Sequence, residues 1–553
     1  MKEGQRSLRL HIIMKIFEPK IFSSLKDYNL KKLSSDLIAG IIVAIIALPL
    51  SIALAIASGV APEKGLYTAI VAGFIISFLG GSNVNISGPT AAFATIVAGI
   101  VAQFGTQGLV IATIMAGIML IIMGVLKFGS LIKYIPHTIT TGFTSGIALT
   151  IVIGQLKDFM GLTFKEGTHA VETMEKLSAV ANSISTINFS TVFVGLIGLL
   201  ILIIWPKISK KIPGSLIAVI VGVIVVKLFD IPVNTIGDLY QISGAAPSFS
   251  VPNVEFATIK ELLPSAFTIA ILAAIESLLS CVVSDGMIND KHNSNTELIA
   301  QGAGNIFSGL FGGIPATGAI ARTAANVKNG GRTPIAGIVH AVVLLLVLVI
   351  LMPYAALIPM PIIAAILFMV AYNMCEWREF VKICKTAPKS DIIVLVLTFI
   401  LTVVFDLVVA IEFGMIVTAF LFIKRMSDVT RIRTWIDEEN DNRLKTIPEN
   451  TQVFEFDGPM FFATSDIISS LRVKEGTKNV ILRMRNIPSL DVSALDALKE
   501  VYNKCREKDI TVIFSHVNNQ PMQVMKKSGF YDEVGDVCFA KNIDEALSLA
   551  NNI

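Results

Sequence analysis

Charge is what this chain has least of. Asp, Glu, Lys and Arg make up 16% of its 553 residues against 53% hydrophobic, and the mean hydropathy is +0.71. Soluble globular domains carry about a quarter charged residues, so a wholly soluble fold is excluded and a lipid bilayer is the expected surrounding. The net charge is only +3, and no run of Lys and Arg interleaved with aromatics occurs, so no nucleic-acid partner is expected. The five cysteines, Cys281, Cys375, Cys384, Cys505 and Cys538, form neither a CxxC pair nor a metal-ligand spacing, which removes a disulfide framework and a zinc site from consideration. A phosphate-cradling glycine loop and a nucleophile set are also missing, so the chain is not read as an enzyme and no cofactor is expected. Residues 1–35 hold eight Lys and Arg but no short apolar core followed by small residues, so they are read as a retained segment, not a signal peptide.

What the chain does have is long apolar runs, packed into residues 36–426. A bilayer core of about 30 Å takes about 20 apolar residues per helix, fewer where a helix is broken and buried in protein. That ruler gives about fourteen spans. The first seven are 37–57, 66–79, a short one after Pro89, 109–126, 139–153, 192–205 and 216–226; the second seven are 265–284, 299–311, a short one after Pro315, 335–351, 362–374, 392–405 and 407–423. Loop charge agrees with that number: with the basic N-terminus inside, Lys127 and Lys133, then Lys207, Lys210 and Lys211, then Lys328 and Arg332, then Arg378, Lys382, Lys385 and Lys389 all fall on the same side. Both chain ends are then cytoplasmic.

Two sets of seven imply an inverted duplication, because an odd number of spans reverses the second copy. Each copy has a breaker-rich third span, "NISGPTAAFAT" and "GGIPATGAIARTAAN". Pro89 lies 52 residues after Leu37 (89 − 37) and Pro315 lies 50 after Ser265 (315 − 265). A half-helix starting inside the membrane turns its unsatisfied N–H groups and positive dipole end toward whatever precedes it, so a facing pair makes an anion cradle. Thr90 and Thr317 offer hydroxyls, and Arg322 adds a cation that costs about 2.5–3.5 kcal/mol at membrane depth unless it faces protein, water or ligand. Packing alone can also explain glycine and proline kinks, and Arg322 could merely bond carbonyls. In the eighth span Glu276 is followed by Ser280 and Ser284 at i+4 and i+8 on one helical face, with Ser277 alongside. A carboxylate there should pair, titrate or bind a cation, which makes Glu276 the candidate for ion coupling and leaves an ion pair with Arg322 as its structural alternative. His340 is read as a satisfied packing residue.

The stretches "LPLSIALAIASGVAPEKGLYTAI", "ISGPTAAF", "AAIESLLSCVVSDG", "GGIPATGAIARTAANVKNGGRT" and "GPMFFATSD" together resemble the SulP family, also called the solute carrier 26 family, over nearly the whole chain. The resemblance is closest to its bacterial branch of sulfate, bicarbonate and dicarboxylate transporters. It implies a fourteen-helix polytopic membrane fold of two inverted seven-helix repeats divided into core and gate domains. It also implies an elevator-type motion, a homodimer and a cytoplasmic α/β STAS domain. Carried over residue by residue, its substrate site falls on Ser87, Gly88, Pro89, Thr90 and Ala91, and on Ala316, Thr317, Gly318, Ala321 and Arg322; its coupling position falls on Glu276, with Ser280 beside it. Leu50 stands where many relatives have glutamine and Ala321 where many have serine, which leaves substrate identity open. Glu276 replaces the aspartate usual in sodium-coupled bicarbonate relatives, and the longer acid favours a proton, with sodium as the alternative ion.

The domains expected are a cytoplasmic segment 1–35, a transport domain 36–426, a linker 427–450 and a STAS domain 451–553. In the last, "QVFEF", "NVILRM", "ITVIF" and "VCFA" alternate with helical patterns, as in an α/β sheet. Val492 occupies the position where anti-sigma antagonists carry a phosphorylatable serine, so scaffolding or docking of a cytoplasmic regulator is expected instead. The functional expectation is proton-coupled symport of sulfate or a similar oxyanion across the plasma (inner) membrane. Bicarbonate or a four-carbon dicarboxylate is the alternative substrate, and a passive anion channel or an anion sensor acting through STAS is the alternative class.

Overall fold

The computed structural model describes residues 17–130, 136–165, 170, 172–209, 212–252, 256–405, 407–435 and 447–552. Lys133, Lys210, Lys211, most of the basic N-terminus and linker residues 436–446 lie outside them. The chain divides into two compact units, Met1–Met415 and Ile416–Ile553.

The first unit is helical. Its first half contributes α1 (Leu30–Ala57), α2 (Pro62–Leu79), α3 (Ala94–Val125), α4 (His137–Met160), α5 (Phe189–Ile208) and α6 (Gly214–Leu228). The second contributes α7 (Phe256–Ile288), α8 (Ser294–Leu310), α9 (Ile320–Lys328), α10 (Ile335–Ala355), α11 (Met360–Cys375), α12 (Trp377–Thr386), α13 (Lys389–Val404) and α14 (Leu407–Val429), which runs on into the second unit. Starts follow local chemistry: Asn29, Asn188 and Asn293 cap α1, α5 and α8 through their side-chain oxygens, and Pro62 opens α2. Gly105, at φ 67° and ψ −172°, breaks α3 into a short arm and a long arm. With α3 counted twice, all fourteen expected spans fall on helices. Eight helices are long and apolar enough to cross a membrane by length and composition among the described residues. The amphipathic α12 sits in what the sequence reads only as a basic loop.

The packing shows the duplication. The long arm of α3 lies against α7 and α8, as α10 lies against α1 and α2; α5 packs on α11 as α13 packs on α4; and α4 meets α11, its counterpart. This divides the unit into a core layer (α1–α3 and α7–α10) and a gate layer (α4–α6 with α11 and α13). Glycines allow the closest approaches: a Cβ on Gly117 would lie 2.6 Å from the Gly302 carbonyl, so α3 and α8 touch backbone to backbone.

The second unit has a five-stranded sheet, ordered β3 (Arg431–Thr434), β4 (Thr451–Asp457), β5 (Asn479–Asn486), β6 (Thr511–Ser515) and β7 (Phe539–Ala540); β3 and β4 are antiparallel and the other pairs parallel. Alternation along the strands covers both faces. Phe454, Phe456, Leu482 and Phe514 pack on one side with α15 (Val492–Arg506) and α16 (Asn519–Lys527), while Val453, Ile481 and Ile513 pack on the other with α17 (Ile543–Asn552). The sheet starts earlier than the sequence suggests: β3 lies within the stretch read as linker. As an edge strand of R-I-R-T it presents only Ile432 to the core, too little apolar pattern to stand out. Val492 is 70% exposed in the first turn of α15, next to its cap Asp491.

Candidate anion site at two facing helix starts

Two extended stretches enter the core layer and end in helix starts. The first runs from Ser82 through β1 (Ser87–Gly88) to a 3₁₀ turn, Ala91–Phe93, and then α3; the second runs through β2 (Thr317–Gly318) to α9. The strands pair antiparallel, Ser87 opposite Gly318 and Gly88 opposite Thr317, and the Ala319 N–H donates to the Ile86 carbonyl at 2.9 Å. Pro89 has no N–H, so the ladder cannot extend through it. The helices leave from opposite ends of the pair, so both N-termini sit beside it. The first intrahelical bond of α9 runs from Thr323 N to Ala319 O at 2.8 Å, so the amides of Ile320, Ala321 and Arg322 precede it; those of Ala91 and Ala92 likewise precede the Phe93 to Thr90 bond.

Helix α7 runs alongside. Thr90 Oγ1 donates to Glu276 Oε2 at 3.0 Å, which ties the first helix start to the half-buried carboxylate. The Thr317 hydroxyl donates to the Ala273 carbonyl at 3.1 Å, so Ser277 Oγ must be the donor in its 2.7 Å contact with Thr317, and it also accepts the Gly318 N–H at 3.0 Å. The Gly318 amide is therefore part of the scaffold. Its Cα has no room for a side chain, since a Cβ would stand 2.7 Å from the Asn85 amide nitrogen.

Arg322 is 2% exposed and reaches across from α9 to the first stretch, where Nη2 donates to the Pro89 carbonyl. Nη1 lies directly under Gly88, and a Cβ there would overlap it. Nε and Nη1 have no hydrogen-bond partner among the described residues, and Arg322 forms no ion pair with Glu276 there. The cation is thus fixed behind the strand pair, not exposed at its rim. Ser87, Gly88, Pro89, Thr90, Ala91, Thr317, Gly318, Arg322 and Glu276 are brought together around the pair. Ala321 is exposed on the first turn of α9, and Ala316 is pinned to α8 by reciprocal bonds with Asn305 at 2.8 and 2.9 Å. Ser280 is fully buried and faces the same two stretches from behind the strand pair, within hydrogen-bond distance of Asn85 Oδ1 at 2.8 Å and Thr323 Oγ1 at 3.1 Å, while Ser284 bonds the Cys281 carbonyl of its own helix. Both nitrogens of the fully buried His340, expected to be satisfied, lack a partner among the described residues.

The sequence reading missed Glu297 on α8. It is fully buried and accepts the Gly81 N–H at 2.9 Å, Asn85 Nδ2 at 2.8 Å and Gln301 Nε2 at 2.9 Å. All three partners are donors, so the carboxylate oxygens are satisfied without a cation. Gln301 continues to Ser87 Oγ at 2.9 Å, and Asn85 to Ser280 and Thr323, so this acid holds the first stretch in place. The signal was present: Glu297, Gln301, Asn305 and Ser308 recur at i, i+4, i+8 and i+11, a polar stripe in an apolar span.

The sulfate permease family signature matches residues 33–398 and the STAS domain signature residues 442–546. YvdB of Bacillus subtilis, a candidate sulfate transporter by name, is 39% identical over 94% of this chain and 98% of its own length. The bicarbonate transporter BicA of Picosynechococcus is 31% identical over 94% of this chain and 95% of its own. The solved transmembrane domain of a cyanobacterial BicA superposes with a TM-score of 0.63 at 32% identity, covering 69% of this chain and 98% of that one. Murine solute carrier 26 family member A9, inward-facing, shares the fold with a TM-score of 0.88 over 98% of this chain and 95% of its own at 18% identity. The chain belongs to the sulfate permease (SulP) family and is an integral-membrane anion transporter carrying a STAS domain.

Proposed function

We propose that this transporter accumulates sulfate or a similar small oxyanion by proton-coupled symport, the core layer carrying the anion past the gate layer in an elevator-type motion. The observation that carries this reading is the 3.0 Å hydrogen bond from Thr90 to Glu276, which joins a helix start to a carboxylate that has no cation partner among the described residues. An ionised Glu276 beside the helix starts repels an incoming anion; a protonated one does not. Proton and anion therefore favour each other's binding, which is the coupling symport requires. Ser87 to Ala91, Thr317, Arg322 and Glu276 all belong to the core layer or its strand pair, so the site would travel as one body. The plasma membrane, cytoplasmic chain ends, a homodimer and a regulatory partner docking on STAS are part of the same proposal.

Identity to YvdB at 39% over nearly its full length supports sulfate; identity to BicA at 31% favours bicarbonate as the second reading. The test is uptake into proteoliposomes of labelled sulfate, bicarbonate, succinate, fumarate and chloride at two pH values, with and without sodium. The expected result is sulfate accumulation above equilibrium when the outside is acidic. Accumulation of bicarbonate that needs sodium replaces the reading with its alternative; equilibration without accumulation indicates a channel, and no flux a sensor.

A further inference from the structure

Away from the strand pair, a cavity of about 400 Å³ lies on the seam between the two layers. The core layer supplies its floor, Pro49 and Ile52 of α1 with Leu66 of α2, and one wall from Val347 to Tyr354 of α10; the gate layer supplies the other wall, Leu216 to Ile224 of α6. The floor is dry, with Ile52 2% and Leu66 0% exposed. The rim is open: Ile220, Ile224 and Leu351 are each about half exposed. Apolar side chains facing outward from membrane-spanning helices meet hydrocarbon, so the cavity opens sideways into the bilayer, not toward water. Tyr354, on the last turn of α10, is the wall's one side chain with a polar tip, and tyrosine at a helix end belongs at the headgroup level. From there the groove follows α10 inward for about two turns, about 10 Å.

We propose that this groove is a lipid-binding site occupied by one acyl chain of a bilayer phospholipid, its headgroup end at Tyr354 and its chain running to Pro49. The volume of about 400 Å³ suits that occupant, being room for part of one acyl chain and too little for a whole phospholipid. No polar group inside would recognise a headgroup or a polar metabolite, and an apolar void left unfilled forfeits the contacts of its whole lining. A chain wedged between α6 and α10 touches both layers, so the bilayer's chain composition acts on their seam. The site does not depend on which anion or coupling ion the transporter uses.

The test uses the full chain in vesicles of phosphatidylethanolamine and phosphatidylglycerol containing a phospholipid with a photoactivatable diazirine in one acyl chain. A chain enclosed on three sides should be occupied about tenfold over a chain on an open helix face. Peptide mapping should therefore show label on Leu216 to Ile224 and Val347 to Tyr354 at about tenfold the level on the outward face of α5 at Leu196, Leu200 and Ile203. Filling the groove with Val223→Phe and Val347→Phe should bring that label down to the α5 level. Label spread evenly over all lipid-facing helices in the native protein overturns the proposal, as does enrichment that persists in the filled variant.

Discussion

Glu276 and Arg322 both looked like site charges, and the structure gives them different surroundings. Glu276 touches a hydroxyl at a helix start, whereas Arg322 is enclosed behind β1 with one carbonyl partner. Glu276→Gln keeps the size of the side chain and fixes its charge at zero. It should abolish accumulation driven by a proton gradient while leaving anion binding measurable by titration; uptake that still follows the gradient would remove Glu276 from the coupling. Arg322 acts through its fixed position, which makes Gly88 a sensitive test. A methyl at Gly88 would overlap Nη1, so Gly88→Ala must displace the guanidinium from the Pro89 carbonyl. Affinity for a dianion should fall about tenfold or more, because a cation in a low-dielectric site loses more than 1.4 kcal/mol of attraction when moved by an ångström or two. Undiminished dianion affinity in a correctly folded Gly88→Ala protein would assign Arg322 to packing.

At the scale of elements, α8 is what holds the first stretch at the strand pair. Truncating Glu297→Ala strands three buried donors, on Gly81, Asn85 and Gln301, at a cost of about 3 kcal/mol or more. The melting temperature of the purified protein should drop by about 5 °C or more, and sulfate binding should weaken with it; a protein that melts as before would show the carboxylate to be dispensable. Gly302→Leu should be worse, since a Cβ on Gly302 already stands 2.6 Å from Ile121 Cγ1 and the helices α3 and α8 cannot part without opening the core layer. The same elements show what was legible in the chain. Hydropathy and loop charge revealed the spans, because the bilayer imposes length and polarity on each helix separately. The duplicated prolines revealed the two helix starts for the same local reason. The strand pair was invisible, because Ser87–Gly88 and Thr317–Gly318 are two-residue strands whose partners lie some 230 positions apart (318 − 87 = 231) and are chosen by tertiary packing. Helical spacing puts Ser280 on the face of Glu276, but its partners Asn85 and Thr323 lie on other elements, which spacing along one helix cannot reveal. Glu297 is legible in principle from the i, i+4, i+8 polar stripe it shares with Gln301 and Asn305, but its partners Gly81 and Asn85 lie more than 200 positions away.

For the whole molecule, the division at Met415 separates a unit stabilised by interhelical packing in the bilayer from one with its own hydrophobic core on both faces of a sheet. The second unit should therefore fold alone, and β3 decides where it begins. A fragment of residues 427–553 keeps Arg431–Thr434 paired to Phe454–Asp457, with Ile432 packed on the cluster that includes Phe456 and Leu482. A fragment of residues 447–553 starts after that strand and leaves β4 as a bare edge, losing the half-buried Ile432 and Trp435 and four residues of ladder, about 1–2 kcal/mol or more in all. For a domain of about 100 residues that loss corresponds to a melting temperature lower by about 4–8 °C per kcal/mol. Both fragments should unfold cooperatively by circular dichroism, the shorter at lower temperature and with more tendency to associate through the uncovered edge. Equal melting temperatures would show that β3 is an ornament of the sheet. The outcome expected is the lower melting temperature for the shorter fragment, because Arg431–Thr434, directly after α14, is already a strand of the STAS sheet.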